Sequence, residues 1–131
     1  MKDTSKIVYE WLAASGTGLY TLCGTRVYTP MLPPAFHNTQ AGIVYSVDSE
    51  FTHPTAEVHS LICTFKCYGG SASFTTARSV YFALHDRLHG AAGATTTGAI
   101  MMAFQLSAQA LPPDPDEGWP AHMARFAITI Q

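Results

Sequence analysis

The sequence predicts an α+β domain: a mostly antiparallel β-sheet of about four to five strands packed against two α-helices, closing with a long C-terminal β-hairpin. Three observations predict it. Between residues 56 and 89 the periodicity changes from two to about 3.6 across the break Gly69-Gly70-Ser71, so a strand passes directly into a helix. The strand places Leu61, Cys63, Phe65 and Cys67 on one face and Ser60, Thr64 and Lys66 on the other, the pattern of a sheet covered on one side. Two further alternating stretches, 98–108 and 121–130, flank a loop at 111–120 that is rich in proline and acid.

The elements follow in order. Asp3 or Thr4 can cap a first helix reaching about residue 15, with Ile7, Val8, Trp11 and Leu12 on one stripe. Gly16 and Gly18 end it, and residues 19–22 add a short turn before Gly24. Residues 26–28 form a brief strand. The segment 29–37 is extended, because its three prolines forbid a regular helix. Strands are expected at 42–49 and 56–68. On the second helix, Phe74, Ala77, Val80, Tyr81, Leu84 and Leu88 form the core stripe. The Ala/Gly/Thr run 90–98 reads as a flexible connection. In the last two strands Ile100, Met102, Phe104 and Leu106, then Phe126, Ile128 and Ile130, are expected to face inward. The order is α-β-β-β-α-β-β, without internal repeats, in a single domain over 1–131.

Composition narrows the function. Charged residues are 12% of the 131, against a usual ~25%. Such a surface is either covered by partners or simply rich in alanine and threonine. The net charge is −2 with no run of Lys or Arg, which removes the electrostatic footprint of a nucleic-acid binder. The N-terminus has no apolar signal core and no apolar run approaches ~20 residues, so a soluble protein made in the cytoplasm, without membrane partners, is expected. Cys23, Cys63 and Cys67 are an odd set. Cys63 and Cys67 lie roughly 13 Å apart along a strand at ~3.3 Å per residue, beyond the ~7 Å reach of a disulfide. Buried free thiols are the expectation.

Catalytic candidates are few. His85 and His89 sit four apart on the second helix, the spacing of two zinc ligands, but the intervening residues supply no Glu after the first His. A small metal-dependent hydrolase built on them is the alternative to the non-enzymatic readings. No nucleophile elbow or phosphate loop is present, and the prolines among Asp114, Asp116 and Glu117 interrupt any calcium-loop register. No catalytic, cofactor or metal residues are assigned. Phe82 lies on the outer face of its helix beside Arg78, which suits a subunit contact. Trp119 in the last loop and Phe36 in the proline-rich segment are further interface candidates. An adaptor that captures a peptide at a sheet edge is a third reading.

In order and texture the chain resembles the tail terminator or tail-completion (head–tail joining) proteins of long-tailed bacteriophages. The resemblance is carried by Trp11-Leu-Ala-Ala14, Gly24-Thr-Arg-Val-Tyr28, Gly42-Ile-Val-Tyr-Ser-Val47, Thr64-Phe-Lys-Cys-Tyr68, the helix from Thr75 to Gly90 and the final strand pair. It implies a structural virion protein with no catalytic motif and no cofactor. The family forms a ring, typically of six subunits, that caps the tail tube, stops its polymerisation and joins it to the head connector. DNA then crosses the bore without specific binding. Implied partners are sibling subunits, the tail tube protein and the connector, and the implied location is the neck of the virion. The loop 111–120 and the segment 29–37 become candidates for axial contacts, Arg78 and Phe82 for lateral ones.

Overall fold

In the computed structural model, residues 3–33, 40–70, 73–112 and 120–131 are described. Three helices and six strands follow the chain: α1 Thr4–Leu12, α2 Gly18–Cys23, β1 Val27–Tyr28, β2 Ala41–Thr52, β3 His59–Gly69, α3 Phe74–Leu88, β4 Gly93–Ala94, β5 Ala99–Leu111 and β6 Ala121–Ile130. The strands form one sheet in the order β1-β2-β3-β6-β5-β4. β1 joins β2 in parallel, and every other pairing is antiparallel. The α+β architecture expected from the sequence is present. It exceeds the expected count by α2, where a turn was predicted, and by the two-residue β4.

Each helix starts at a side-chain cap that satisfies an orphan backbone donor. Asp3 accepts from Lys6 N–H, Thr17 from Tyr20 N–H and Ser73 from Thr75 N–H. α1 stops at Leu12, earlier than the predicted residue 15, with Ala13 as its C-cap. α3 packs across β3 and β6. Its start lies so close to β3 that a Cβ at Gly69 would sit 2.2 Å from the Ala77 nitrogen. Only glycine allows that approach.

The core lies between the helices and one face of the sheet. Ile7, Val8 and Leu12 of α1, Val80, Leu84 and Leu88 of α3, and Leu61, Phe65, Phe126, Ile128 and Ile130 of the sheet are all buried within one cluster. Phe65 stacks on Tyr45 at 5.5 Å and meets Phe126 edge-on at 5.6 Å. Cys23, Cys63 and Cys67 are buried free thiols, as expected. Burial pushes the Cys23 thiol up to about 11 and Cys63 up to about 12, with Cys67 also raised. None is a thiolate near neutral pH.

Two expectations are corrected. Met102, Phe104 and Leu106 do not face inward: they are 54%, 42% and 48% exposed. A bulge between Ile100 and Met102 inserts Met101, so Ala103 opposite Ile128 takes the inward place. One inserted residue exchanges the two faces of a strand. The run 90–98 is also more than a free tether. Gly93 and Ala94 pair with Ile100 and Ala99. Both carboxylate oxygens of Glu10 accept from Thr97, one from its backbone N–H and one from its hydroxyl, each at 3.0 Å.

Candidate assembly surfaces

The first surface is the outer face of α3. Phe82 is 52% exposed, and the Arg78 guanidinium lies 5.5 Å from its ring centroid. The helical period alone places both residues on this face, and the structure brings them together. Trp119 and Phe36, with residues 113–119 of the last loop and 34–37 of the proline-rich segment, lie outside the described residues.

The N-terminal half of α3 also carries an aromatic ladder into the sheet. Phe74 lies 5.7 Å from His122, which stacks on Tyr81 at 4.0 Å. Phe74 is half-buried at the margin of the core stripe. His122 is buried, and its Nδ1 has no hydrogen-bond partner among the described residues. Burial, followed by the nearby Arg78 charge, lowers its pKa below the ordinary 6.5.

The other end of α3 is latched to β5. The Tyr81 hydroxyl donates to Gln105 Oε1 at 2.6 Å, and the Gln105 backbone N–H donates to His89 Nδ1 at 3.1 Å. His85 and His89 stack with centroids 4.7 Å apart and planes 13° from parallel. Lone pairs in near-parallel planes do not converge on one ion, and one nitrogen of His89 already accepts a hydrogen bond. The arrangement therefore suits a helix latch better than the two-histidine zinc site that the spacing suggested.

The second surface is β5 itself. Met101, Met102, Phe104 and Leu106 are each between 42% and 54% exposed, so one strand shows four large apolar side chains to water. Sequence reasoning missed this row because either face of the alternation satisfies the same pattern. The adjoining Met101-Met102 pair was the one signal of a bulge. Phe51, near the end of β2, adds a fifth exposed side chain at 63%.

Apart from Arg78, the arginines are engaged within the subunit. Arg125 lies 3.9 Å from Asp48, which also accepts from the hydroxyls of Thr64 and Ser46. Arg26 donates to the Ala41 and Leu22 carbonyls. Arg87 donates to the Trp11 carbonyl and lies 3.9 Å from its ring centroid, while the Trp11 indole N–H donates back to the Arg87 carbonyl. Three of the guanidinium groups thus have partners within the subunit, so they do not form a phosphate-gripping patch.

This architecture has a counterpart among solved structures. A chain from a structure titled "Virion of native gene transfer agent (GTA) particle" superposes with a TM-score of 0.71. The match covers 97% of this chain and 93% of that one, at 22% sequence identity. The two chains share a fold. No protein-family model matches the sequence, and neither does any curated protein. The likeness extends from end to end, so helices, sheet and C-terminal strand pair are matched as one unit.

Proposed function

We propose that this protein is a structural component of a phage or phage-like virion, acting as a tail terminator at the junction of tail and head. The observation that carries the reading is the end-to-end fold match to a chain of a gene transfer agent virion. The exposed apolar side chains of α3 and β5 support it, since large uncovered apolar area on a small protein marks contact surfaces. On this reading the whole chain, 1–131, is one repeated unit.

The mechanism is steric. Subunits meet through unlike faces and close into a ring, which the resemblance makes a hexamer. Seated on the tail tube, the ring occupies the surfaces to which the next tube subunit would add, and growth stops. Its other side receives the head connector. DNA moves through the bore, and with only seven Lys and Arg in each subunit, against nine Asp and Glu, its passage needs no sequence readout and meets little phosphate binding. The protein transforms no molecule and needs no cofactor.

Electron microscopy of purified particles tests the reading: density for this chain should form a single ring at the neck. Tails from a host lacking the gene should be of irregular length and fail to join heads. Normal-length tails joined to heads without this chain would overturn it.

A further inference from the structure

The sheet has two incompletely paired edges. At one edge β4 covers only Ile100 and Ala99 of β5, and the loop before it adds a single bond from Gly90 N–H to the Ala103 carbonyl. With Gln105 N–H held by His89, residues 106–111 have no backbone partner on that side among the described residues. At the other edge β1 covers only Ile43 and Val44 of β2, so 45–52 have no strand partner on that side among the described residues.

We infer that the open edge of β5 receives the open edge of β2 from a second copy of this chain, so that the sheet runs on from subunit to subunit. This deepens the ring reading above and rests on it. An uncovered strand edge is a template for another strand, and proteins that keep such edges apart guard them with charge or proline. From Ala99 to Leu111 this edge strand contains neither. Its four half-exposed apolar side chains stand on the outer face beside that edge, so a strand added there, with its own outward side chains, covers part of their apolar area.

The complementary strand is β2. It has 12 residues against 13 in β5. Three antiparallel steps separate β2 from β5 within the sheet, so the two run in opposite directions. A neighbouring β2 placed beside β5 therefore continues the antiparallel alternation when the copies differ by a rotation alone. That is a heterologous contact, the kind that closes rings. The acids of β2 do not oppose it. Asp48 is engaged by Thr64, Ser46 and Arg125, and Glu50 accepts from the Thr4 hydroxyl. A neutral strand thus meets an edge whose two acids already accept hydrogen bonds inside their own subunit.

The strand register supplies the test. Gln105, opposite Phe126, points its N–H away from β6. The next β6 residue, Arg125, is opposite Ser107, so Ser107 faces β6 and Ala108 points its N–H outward. Ala108→Pro removes that donor and keeps the bonds to β6, whereas Ala108→Val keeps it. The assembled state is compared by sedimentation velocity and amide hydrogen exchange, in solution or, where free protein stays monomeric, in purified particles. The expected result is slow exchange at Ala108 and Ala110 in the assembled wild type, normal assembly of Ala108→Val, and folded but monomeric Ala108→Pro. Fast exchange at both amides in the assembled wild type overturns the proposal even if the proline variant fails to fold. So does a folded Ala108→Pro that assembles normally, or a closed dimer in place of a larger ring. Failure of the ring reading looks different: wild type then forms no assembly and is missing from particles.

Discussion

Gly69 is where the strand-to-helix junction is least forgiving. A methyl group there would lie 2.2 Å from both the Ala77 nitrogen and the Thr76 carbonyl carbon, atoms of the α3 backbone that no rotamer change can remove. Gly69→Ala must therefore push α3 off β3, at a cost of about 1–3 kcal/mol or more. Urea unfolding should show a lower midpoint with an unchanged slope. The sequence marks this place only as a Gly-Gly break between two periodicities. That a helix backbone presses on the first of the two glycines is a fact of packing.

His122 gives the same scale a pH dependence. Burial and then Arg78 hold its folded pKa below the ordinary 6.5. A depressed folded pKa contributes stability that is fully present above the unfolded value and is lost as pH falls through the folded one. The wild type should therefore lose stability on acidification below about pH 6.5, the unfolded reference. His122→Phe keeps the stacking on Tyr81 and lacks the titrating nitrogens, so its melting temperature should depend less on pH across this range. Parallel slopes for the two proteins would separate His122 from the acid response.

Among elements, the contrast between α3 and β5 shows what a sequence reveals. Helical period alone put Val80, Leu84 and Leu88 inside and Phe82 outside, and the structure agrees at each position. On β5 the same logic failed, because a strand has two faces and a single inserted residue exchanges them. Met101 is that residue, and its one local mark is the adjoining apolar pair Met101-Met102. β6, which has no such insertion, was read correctly at Phe126, Ile128 and Ile130. The reciprocal Trp11–Arg87 latch was out of reach for another reason: its partners are 76 positions apart. Candidate contacts were legible on α3 and illegible on β5.

Phe82 tests the element on which the reading succeeded. Its ring is half-exposed and carries the Arg78 guanidinium on one side, so it can enter an interface without rearrangement of α3. Phe82→Glu puts a charge at that contact and leaves the core untouched. Light scattering should show assembly shifted towards monomer, with thermal stability altered by less than about 0.5 kcal/mol, as for ordinary surface changes. Unchanged mass would remove α3 from the lateral contact and leave β5 as the stronger candidate.

At the scale of the whole molecule, the low charge determines how assembly should respond to solvent. Only 16 of the 131 residues, seven basic and nine acidic, are charged. Arg125 has Asp48 beside it and Arg87 has the Trp11 ring, both within the subunit, and the exposed side chains of the β5 row are uncharged. Exposed ionic contacts weaken as the Debye length falls from about 10 Å at 0.1 M salt to about 3 Å at 1 M. Apolar contacts do not weaken in this way, and sulfate strengthens them. Assembly should therefore be nearly indifferent to sodium chloride between about 0.1 and 1 M and should increase in sodium sulfate at equal ionic strength. Sedimentation velocity in the two salts reads this directly. A ring that falls apart as chloride rises would mean that charged residues, Arg78 on α3 or Asp114, Asp116 and Glu117 in the last loop, hold the subunits together, and that the apolar row on β5 faces another component of the particle.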